Sequence, residues 1–343
     1  MNINEIHPQF QLNGSHYTIE ELRDFASKLI SYSDEHEQHL GKFILEWFDD
    51  SDSITLRTSG TTGKPKNIEL KKVAMLESAK ATGAFFDVHE GSRALHCLPV
   101  QYIAGKMMLV RALALGWELD YVRPTSNPLD FNDTIYDFVA MVPFQVENSL
   151  EKLSNVKKII IGGAKLNPLL AEKLKNSDTE VFETYGMTET ITHIAAKNIK
   201  EKAFSALPGV TFSIDNRNCL TIKAPRVCSE ELITNDVVEL TDNEHFVWLG
   251  RFDNVVNSGG IKLFPEQIEE KLAGKIMNRF FVTGKADAAL GEKLVLVIES
   301  ESFNLDHSVF EHLNKYEKPK EIIFVSKFIE TETGKIKRAE SIA

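Results

Sequence analysis

Cysteine is scarce in this chain: Cys97, Cys219 and Cys228 are the only three in 343 residues. An odd number without Cys-x-x-Cys spacing offers neither a disulfide framework nor a thiolate zinc site, and fits a reduced compartment. An excess of positive charge is also missing. The formal net charge of −11, with no long basic cluster, argues against a nucleic-acid-binding protein. No apolar run is clean enough to cross a membrane, because the most apolar stretch, 94–117, is broken by Lys106 and Arg111 and carries Pro99. The opening Met-Asn-Ile-Asn-Glu-Ile-His-Pro has neither the basic region nor the apolar segment of a secretory leader. A cytoplasmic location is the resulting expectation. Internal repeats and low-complexity tracts are absent as well.

What is present is the composition of a soluble globular protein, 43% apolar and 26% charged, in a chain long enough for two or three domains. Thr18 followed by Glu21 reads as a capping box opening a helix, and a second helix holds Leu40, Phe43, Ile44, Trp47 and Phe48. After a helix at 71–86, strands alternate with helices: strand 94–98, helix 104–115, strand 117–122, helix 129–137, strand 138–142, helix 144–153, strand 158–161, helix 167–175 and strand 180–184. Such alternation predicts an α/β sheet with helices packed over it. Between 207 and 249 the pattern turns to short strands and turns, a β-rich subdomain. From 255 a compact block follows, with a helix at 265–272, strands at 279–283, 294–299 and 321–325, and a helix at 306–315. The expected division is therefore residues 1–250, a hinge at 251–254, and a small mobile α+β domain at 255–343.

The most distinctive stretch is 58–66, Thr-Ser-Gly-Thr-Thr-Gly-Lys-Pro-Lys, between two segments of strand-like alternation. Gly60 and Gly63 let the backbone approach a ligand closely. The hydroxyls of Thr58, Ser59, Thr61 and Thr62, with Lys64 and Lys66, make a concave anion site suited to a polyphosphate. It is not a Walker A loop, since the glycines are three apart and Pro65 follows Lys64. Next, the apolar Ile159-Ile160-Ile161 runs into Gly162-Gly163-Ala164, bare backbone at the carboxyl end of a strand, where open α/β sheets bind ligands. Taken alone, it is equally an ordinary tight turn. The segment Tyr185-Gly186-Met187-Thr188-Glu189 supplies a flat ring, a hydroxyl and a carboxylate, suited to a base, a phosphate and Mg²⁺ respectively. Asp236 and Arg251 flank a two-strand unit and could bracket a ribose diol. Near the end, Gly334 makes a turn that thrusts out Lys335.

In this order the motifs TSGTTGKPK, GGA, YGMTE, TND, GRFDNVVNSGGIKLFPEQIE and TGKIKR closely resemble the adenylate-forming superfamily of acyl-CoA synthetases, peptide-synthetase adenylation domains and luciferases, over residues 53–338. The resemblance implies a two-step ligase: a carboxylate attacks the α-phosphate of MgATP to give acyl-AMP, and a thiol, coenzyme A, then displaces AMP. It places Ser59–Lys66 on the β- and γ-phosphates, Gly162-Gly163-Ala164 and Tyr185 around adenine, Thr188 at the α-phosphate, Glu189 on Mg²⁺, Asp236 and Arg251 on the ribose, and Lys335 between carboxylate and α-phosphate. Asp253 matches the hinge about which the C-terminal domain turns, bringing Ser258-Gly259-Gly260 and Lys262 to the site for the thiol step. The chain has about fifty-seven residues before the Thr/Gly loop, where the family usually carries well over a hundred, so part of the N-terminal subdomain is expected to be missing or minimised.

For the acid, Leu98-Pro-Val-Gln-Tyr-Ile-Ala-Gly105 is similar to a pocket-lining segment of acyl-CoA ligases. Tyr102 and Gly105 there fit a flat aryl acid. Lys106 is either the partner of a second carboxylate or a solvated helix lysine. The short chain, Val142-Pro-Phe-Gln145 and Ile161-Gly162-Gly163-Ala164 together look most like the branch of the family that activates 2-succinylbenzoate, an aryl acid with two carboxylates, for menaquinone synthesis. Another aryl or acyl acid, a stand-alone adenylation enzyme loading a carrier protein, and a degenerate nucleotide-binding or scaffold protein that lacks catalysis are the alternatives; Lys335, Glu189 and both phosphate-loop lysines speak against the last. A homodimer is compatible with the resemblance, and neither nucleic acid nor a membrane span is expected.

Overall fold

A strand covered on both faces must be apolar at every position, and Ile159-Ile160-Ile161 is such a strand. In the structure, a computed structural model describing residues 3, 5–57, 67–331 and 336–342, Ile160 packs into one core while Ile159 and Ile161 pack into another. Each such side chain withdrawn from water contributes about 1.5–3 kcal/mol. The described residues fall into two compact units. The first comprises residues up to 57, 67–211 and 223–231, and the second comprises 212–222 and everything from 232 onward.

In the first unit the elements are β1 (Gln11–Leu12), α1 (Ile19–Ile30), α2 (Glu35–Trp47), β2 (Ser53–Arg57), β3 (Asn67–Lys71), α3 (Lys72–Phe86), β4 (Arg93–His96), α4 (Ile103–Leu115), β5 (Glu118–Tyr121), β6 (Tyr136–Met141), α5 (Pro143–Asn148), β7 (Val156–Ile161), α6 (Pro168–Leu174), β8 (Glu180–Gly186), β9 (His193–Asn198) and β10 (Phe204–Ala206). The strands order as β1-β5-β4-β6-β7-β8-β9-β10. Pairing is parallel from β1 through β8 and antiparallel from β8 to β10. Helices α1 to α4 cover one face, with Leu22, Phe43, Met75 and Leu109 in its core. Val146 of α5 and Leu170 and Leu174 of α6 cover the other. This is the α/β class expected from the alternation.

The capping box is formed: Glu21 N–H donates to Thr18 Oγ1 at 3.3 Å, and Thr18 N–H to Glu21 Oε2 at 2.8 Å. The hairpin β2–β3 has Arg57 opposite Asn67, so residues 58–66 are what connects its strands. Its base is tied to the helices by Lys72, whose buried ammonium meets Asp49 Oδ1 at 2.7 Å.

Two expected helices do not form. At 129–137, Asn127-Pro128 and Asn132-Asp133 favour turns over the expected helix. Thr134 N–H donates to Asn132 Oδ1 at 2.9 Å, and the chain passes directly into β6. At 306–315, Asp306 caps only a single 3-10 turn, His307–Phe310, and turns follow. The helix expected at 144–153 is split, with a 3-10 turn at Leu150–Asn155 after α5.

The second unit contains β11 (Thr211–Ile214), β12 (Cys219–Lys223), β13 (Leu232–Leu240), β14 (His245–Arg251), β15 (Val256–Ser258), β16 (Ile261–Leu263), α7 (Pro265–Leu272), β17 (Phe280–Asp287), β18 (Gly291–Glu299), β19 (Glu321–Val325) and α8 (Arg338–Ser341). Strands β14-β13-β12-β11 are consecutive neighbours. A five-stranded sheet, β16-β15-β18-β17 with β19 on β18, packs Leu294, Leu296 and Ile298 against Ile268 and Leu272 of α7. Its other face buries Phe281, Val295, Val297 and Phe328. The boundary expected at 251–254 lies inside this unit.

Candidate functional site

In the first unit the site is built at the carboxyl ends of β7 and β8, where a parallel sheet presents backbone to ligands. Gly162-Gly163-Ala164 leave β7 together. Gly163 has φ +82°, and a Cβ on Gly162 would lie 2.7 Å from Thr184 Oγ1, so both positions need glycine. The Thr184 hydroxyl donates to the Ile161 carbonyl at 3.0 Å, fixing this turn to β8. Tyr185 lies on β8 with its ring 5.9 Å from that of Phe204, edge to face. A Cβ on Gly186 would meet the Thr192 carbonyl at 2.3 Å, which is why the strands can close here around a bulge.

Thr188 and Glu189 sit in a 3-10 turn, Thr188–Thr190. Thr190 holds it from within: its hydroxyl accepts from Met187 N–H at 3.0 Å and lies 2.9 and 2.8 Å from the carbonyls of Met187 and Thr192. The chain leaves the turn through Ile191 at φ 66°, ψ −58°, a conformation that β-branched residues seldom adopt. The Ile191 side chain is buried in the core formed with α3 and α4. Glu189 is exposed and makes no ion pair among the described residues.

Directly opposite Gly186 in the β8–β9 register is His193, around which a buried polar cluster is assembled. The Thr82 hydroxyl is 2.9 Å from the Ser78 carbonyl and donates there, so it accepts from His193 Nε2 at 3.2 Å. That network puts the imidazole proton on Nε2 and leaves Nδ1 as acceptor toward Thr192 Oγ1, 3.5 Å away. Burial, and after it the neighbouring Arg111 charge, hold the His193 pKa well below the usual value.

Arg111 of α4 is only 1% exposed, yet has no carboxylate partner among the described residues. Its Nη2 reaches Thr192 Oγ1 at 3.5 Å, its Nη1 reaches Met108 Sδ at 3.6 Å, and its Nε has no hydrogen bond. A buried guanidinium without an anion is costly. Neither Arg111 nor His193 was a candidate from the sequence. The available signal was an arginine in a helix whose one other charged residue is Lys106.

Of the acid-pocket candidates, Tyr102 precedes α4 and is 58% exposed, and Gly105 packs so closely on Pro99 that a Cβ would lie 2.3 Å from its carbonyl. Lys106 corrects both readings made of it. It is buried, its ammonium meets Glu46 Oε2 at 3.0 Å and lies 4.1 Å from the Phe43 ring centroid, so it already has an internal carboxylate.

In the second unit, Asp236 and Arg251 stand opposite each other across β13 and β14, with Arg251 Nη1 3.7 Å from Asp236 Oδ1. Trp248 Nε1 donates to the same oxygen at 3.2 Å, orienting a carboxylate that is otherwise buried. Asp253 lies in the 3-10 turn Phe252–Asn254 and accepts from the Asn235 amide. Arg217 joins this group, donating to Asp215 Oδ2 at 2.7 Å and Asn235 Oδ1 at 3.3 Å, with its guanidinium 5.1 Å from the Phe252 ring centroid. The stretch 258–262 is a two-residue hairpin, with Ser258 paired to Ile261 and both Gly259 and Gly260 at positive φ, as a type I′ turn requires. Thr58, Ser59, Gly60, Thr61, Thr62, Gly63, Lys64, Lys66 and Lys335 lie outside the described residues.

The sequence profile of AMP-binding enzymes matches residues 16–219. The chain belongs to the AMP-binding enzyme family. A curated relative within reach of this AMP-binding chain is the 2-succinylbenzoate–CoA ligase of Lactococcus lactis subsp. lactis (strain IL1403), 24% identical over 320 residues that cover 85% of this chain and 71% of that one. Among solved structures, an acyl-CoA synthetase (AMP-forming)/AMP-acid ligase II-like protein from Dyadobacter fermentans is 37% identical, with a TM-score of 0.64, covering 93% of this chain and 97% of its own. The o-succinylbenzoate CoA synthetase of Bacillus subtilis, in complex with the acyl-adenylate intermediate OSB-AMP, shares the fold at a TM-score of 0.70 and 21% identity, over 83% of this chain and 68% of that one. No helix among the described residues of this AMP-binding protein is long and apolar enough to cross a membrane.

Proposed function

We propose that this member of the AMP-binding family is an acid–CoA ligase acting through an acyl-adenylate, and that its acid is 2-succinylbenzoate. The observation that carries the choice of acid is Arg111, a buried guanidinium without a carboxylate partner among the described residues, next to His193 and so beside the Gly186 turn. An acid with a second carboxylate supplies the missing anion, and a monocarboxylic acid does not. The curated relatives at about this identity carry that activity in their names.

In the first half-reaction a carboxylate oxygen of the substrate bonds to the α-phosphorus of ATP while the bond to the pyrophosphate oxygen breaks. In this reading Ser59–Lys66 hold the β- and γ-phosphates, Gly162-Gly163-Ala164 and Tyr185 enclose adenine, and Asp236 with Arg251 holds the ribose hydroxyls. The Asp236 carboxylate is well suited to accept from a diol, because Trp248 already fixes its orientation. Thr188 contacts the α-phosphate. Lys335 places a compact charge where the phosphoryl oxygens gain negative charge, which favours the transition state over the ground state.

Glu189 fits a Mg²⁺ ligand: it is an exposed hard oxygen donor without an ion-pair partner among the described residues. When bound, Mg²⁺ supplies neutralisation of phosphate charge. In the second half-reaction the CoA thiolate attacks the acyl carbonyl and AMP leaves. The segment 255–343 turns about Asp253 between the two, exchanging Lys335 for the hairpin that bears Gly259, Gly260 and Lys262.

The test is pyrophosphate release from ATP with a panel of carboxylic acids, with and without CoA. Release with 2-succinylbenzoate, followed by thioester formation when CoA is added, is the expected result. Turnover only with a monocarboxylic acid would overturn the choice of acid, and no turnover with any acid would overturn the ligase assignment.

A further inference from the structure

Strands β8, β9 and β10 set two rows of side chains on one face of the first unit's sheet. Successive side chains of a strand alternate between faces, so Glu183 and Tyr185 of β8 share one. Directly opposite Glu183 stands Lys197 of β9, and directly opposite Tyr185 stands Ala195. Between β9 and β10, Ser205 pairs with Ala196 and Ala206 with Ala195, which sets Phe204 beside Lys197. One row is therefore Glu183, Lys197 and Phe204, and the next is Tyr185, Ala195 and Ala206.

In its own row the neighbours of Tyr185 are two methyl groups. Its aromatic neighbour lies on the diagonal: the Phe204 ring, 5% exposed, is centred 5.9 Å from the Tyr185 ring and inclined to it by 60°. Diagonal neighbours in a sheet are within reach of aromatic side chains, and edge-to-face is a favoured arrangement of two rings. Phe204 is held in turn by Lys197. The Lys197 ammonium lies 4.9 Å from the Phe204 ring centroid and 3.0 Å from Glu183 Oε2. Both charged side chains are largely withdrawn from water, 23% and 19% exposed, so salt screens this pair less than an ion pair on the open surface. Partial desolvation also strengthens the attraction of the cation to the ring. The contacts run from the Glu183 carboxylate to the ammonium, from the ammonium to the Phe204 ring, and from that ring to Tyr185. They return to β8 two residues from where they began.

We propose that Lys197 is a positioning residue for the Tyr185 ring: paired with Glu183 and laid on Phe204, it fixes the support against which Tyr185 stands, and so the plane offered to a flat heteroaromatic base. The proposal rests on the reading of Tyr185 as a wall of the adenine site. A ring held in its binding orientation before the ligand arrives spares the cost of ordering it. Removing Lys197 should therefore weaken the hold on the base and leave the hold on the phosphates alone.

The experiment uses the full chain as wild type, K197M, K197R, E183Q, Y185A and the double variant Y185A/K197M. Calorimetric titration without acid or CoA gives the Kd of ATP and of inorganic tripolyphosphate, which keeps the phosphates and lacks base and sugar. K197M is expected to raise the Kd of ATP about two- to tenfold, the span that one aromatic or cation–π contact commands, with tripolyphosphate unchanged. K197R should keep most of the affinity, since a guanidinium both pairs with a carboxylate and stacks on a ring. E183Q, which releases the ammonium without removing it, should act in the same direction by a smaller factor, and it carries the test should K197M not fold. In the Y185A background K197M should add nothing, because the lysine acts only through the tyrosine. Equal losses for ATP and tripolyphosphate, or a full further loss in the double variant, would overturn the proposal. ATP that binds the wild type and is indifferent to K197M and E183Q removes the role of Lys197 and leaves the nucleotide reading standing. Failure of the wild type to bind ATP overturns both.

Discussion

Arg111 and His193 meet at one hydroxyl: Thr192 Oγ1 lies 3.5 Å from Arg111 Nη2 and 3.5 Å from His193 Nδ1. The donors run in one direction, from guanidinium to threonine, threonine to imidazole, imidazole to Thr82, and Thr82 to the Ser78 carbonyl. The imidazole is thereby kept neutral, and the Arg111 cation has no carboxylate partner among the described residues.

Replacing Arg111 by methionine should separate binding from folding. The melting midpoint is expected to hold or rise, because removing an uncompensated buried charge relieves a desolvation cost. The KM for a two-carboxylate acid should increase about ten- to a hundredfold, or about 1.4–2.8 kcal/mol, with a monocarboxylic analogue unaffected. Thermal melts and pyrophosphate-release kinetics check both halves. A lower midpoint with unchanged acid preference would assign Arg111 to the fold alone.

Acid should destabilise the protein through its buried histidines. His96 is fully buried with neither ring nitrogen hydrogen-bonded among the described residues, and burial pushes its pKa down to about 3. His193 is shifted the same way. Below about pH 6.5 the unfolded chain takes up protons that the folded chain refuses, so stability falls as pH falls, by about 1.4 kcal/mol per pH unit for each histidine. His96→Leu removes one such proton. In denaturant titrations between about pH 6 and pH 4, its slope of unfolding free energy against pH should be shallower than wild type by about 1.4 kcal/mol per unit. Identical slopes would show that His96 is charged in the folded protein.

Lys335→Ala should lower adenylation by several orders of magnitude while CoA transfer from supplied acyl-adenylate stays largely intact. Measuring the half-reactions separately decides it. Equal losses would contradict an exchange of Lys335 for the 258–262 hairpin.

Asp253→Pro should do the reverse. Fixing φ in the turn where Asn235 and Arg217 gather would spare adenylation and block thioester formation, if rotation there connects the two steps. Normal overall turnover would sink the hinge at this residue.

What the sequence revealed follows the range of the forces involved. Thr18 and Glu21 are three residues apart, and their capping box was legible because both ends of the interaction lie in one turn. The three isoleucines of β7 announced a strand buried on both faces. The helix expected at 129–137 failed because the side chain of Asn132 turns the backbone there, and 306–315 failed because Asp306 caps one turn that nothing prolongs. The site motifs were readable as local clusters of glycine, hydroxyl and charge. The Arg111–Thr192–His193–Thr82 cluster was not, as Thr82 and His193 are 111 positions apart and only the fold brings them together. Lys106 misled for the same reason: its partner Glu46 is sixty positions away on α2.

Ile191 ties the turn bearing Thr188 and Glu189 to the interior. Its backbone conformation costs about 1–3 kcal/mol, and burying its side chain returns about 1.5–3 kcal/mol, so the two nearly cancel. The turn is thus held by the core's grip on one side chain. Mutational tolerance should be uneven as a result: polar exchanges on the rim of the turn leave its shape alone, while a methylene lost from the Ile191 side chain in the core lets the backbone relax and carries Thr188 and Glu189 with it.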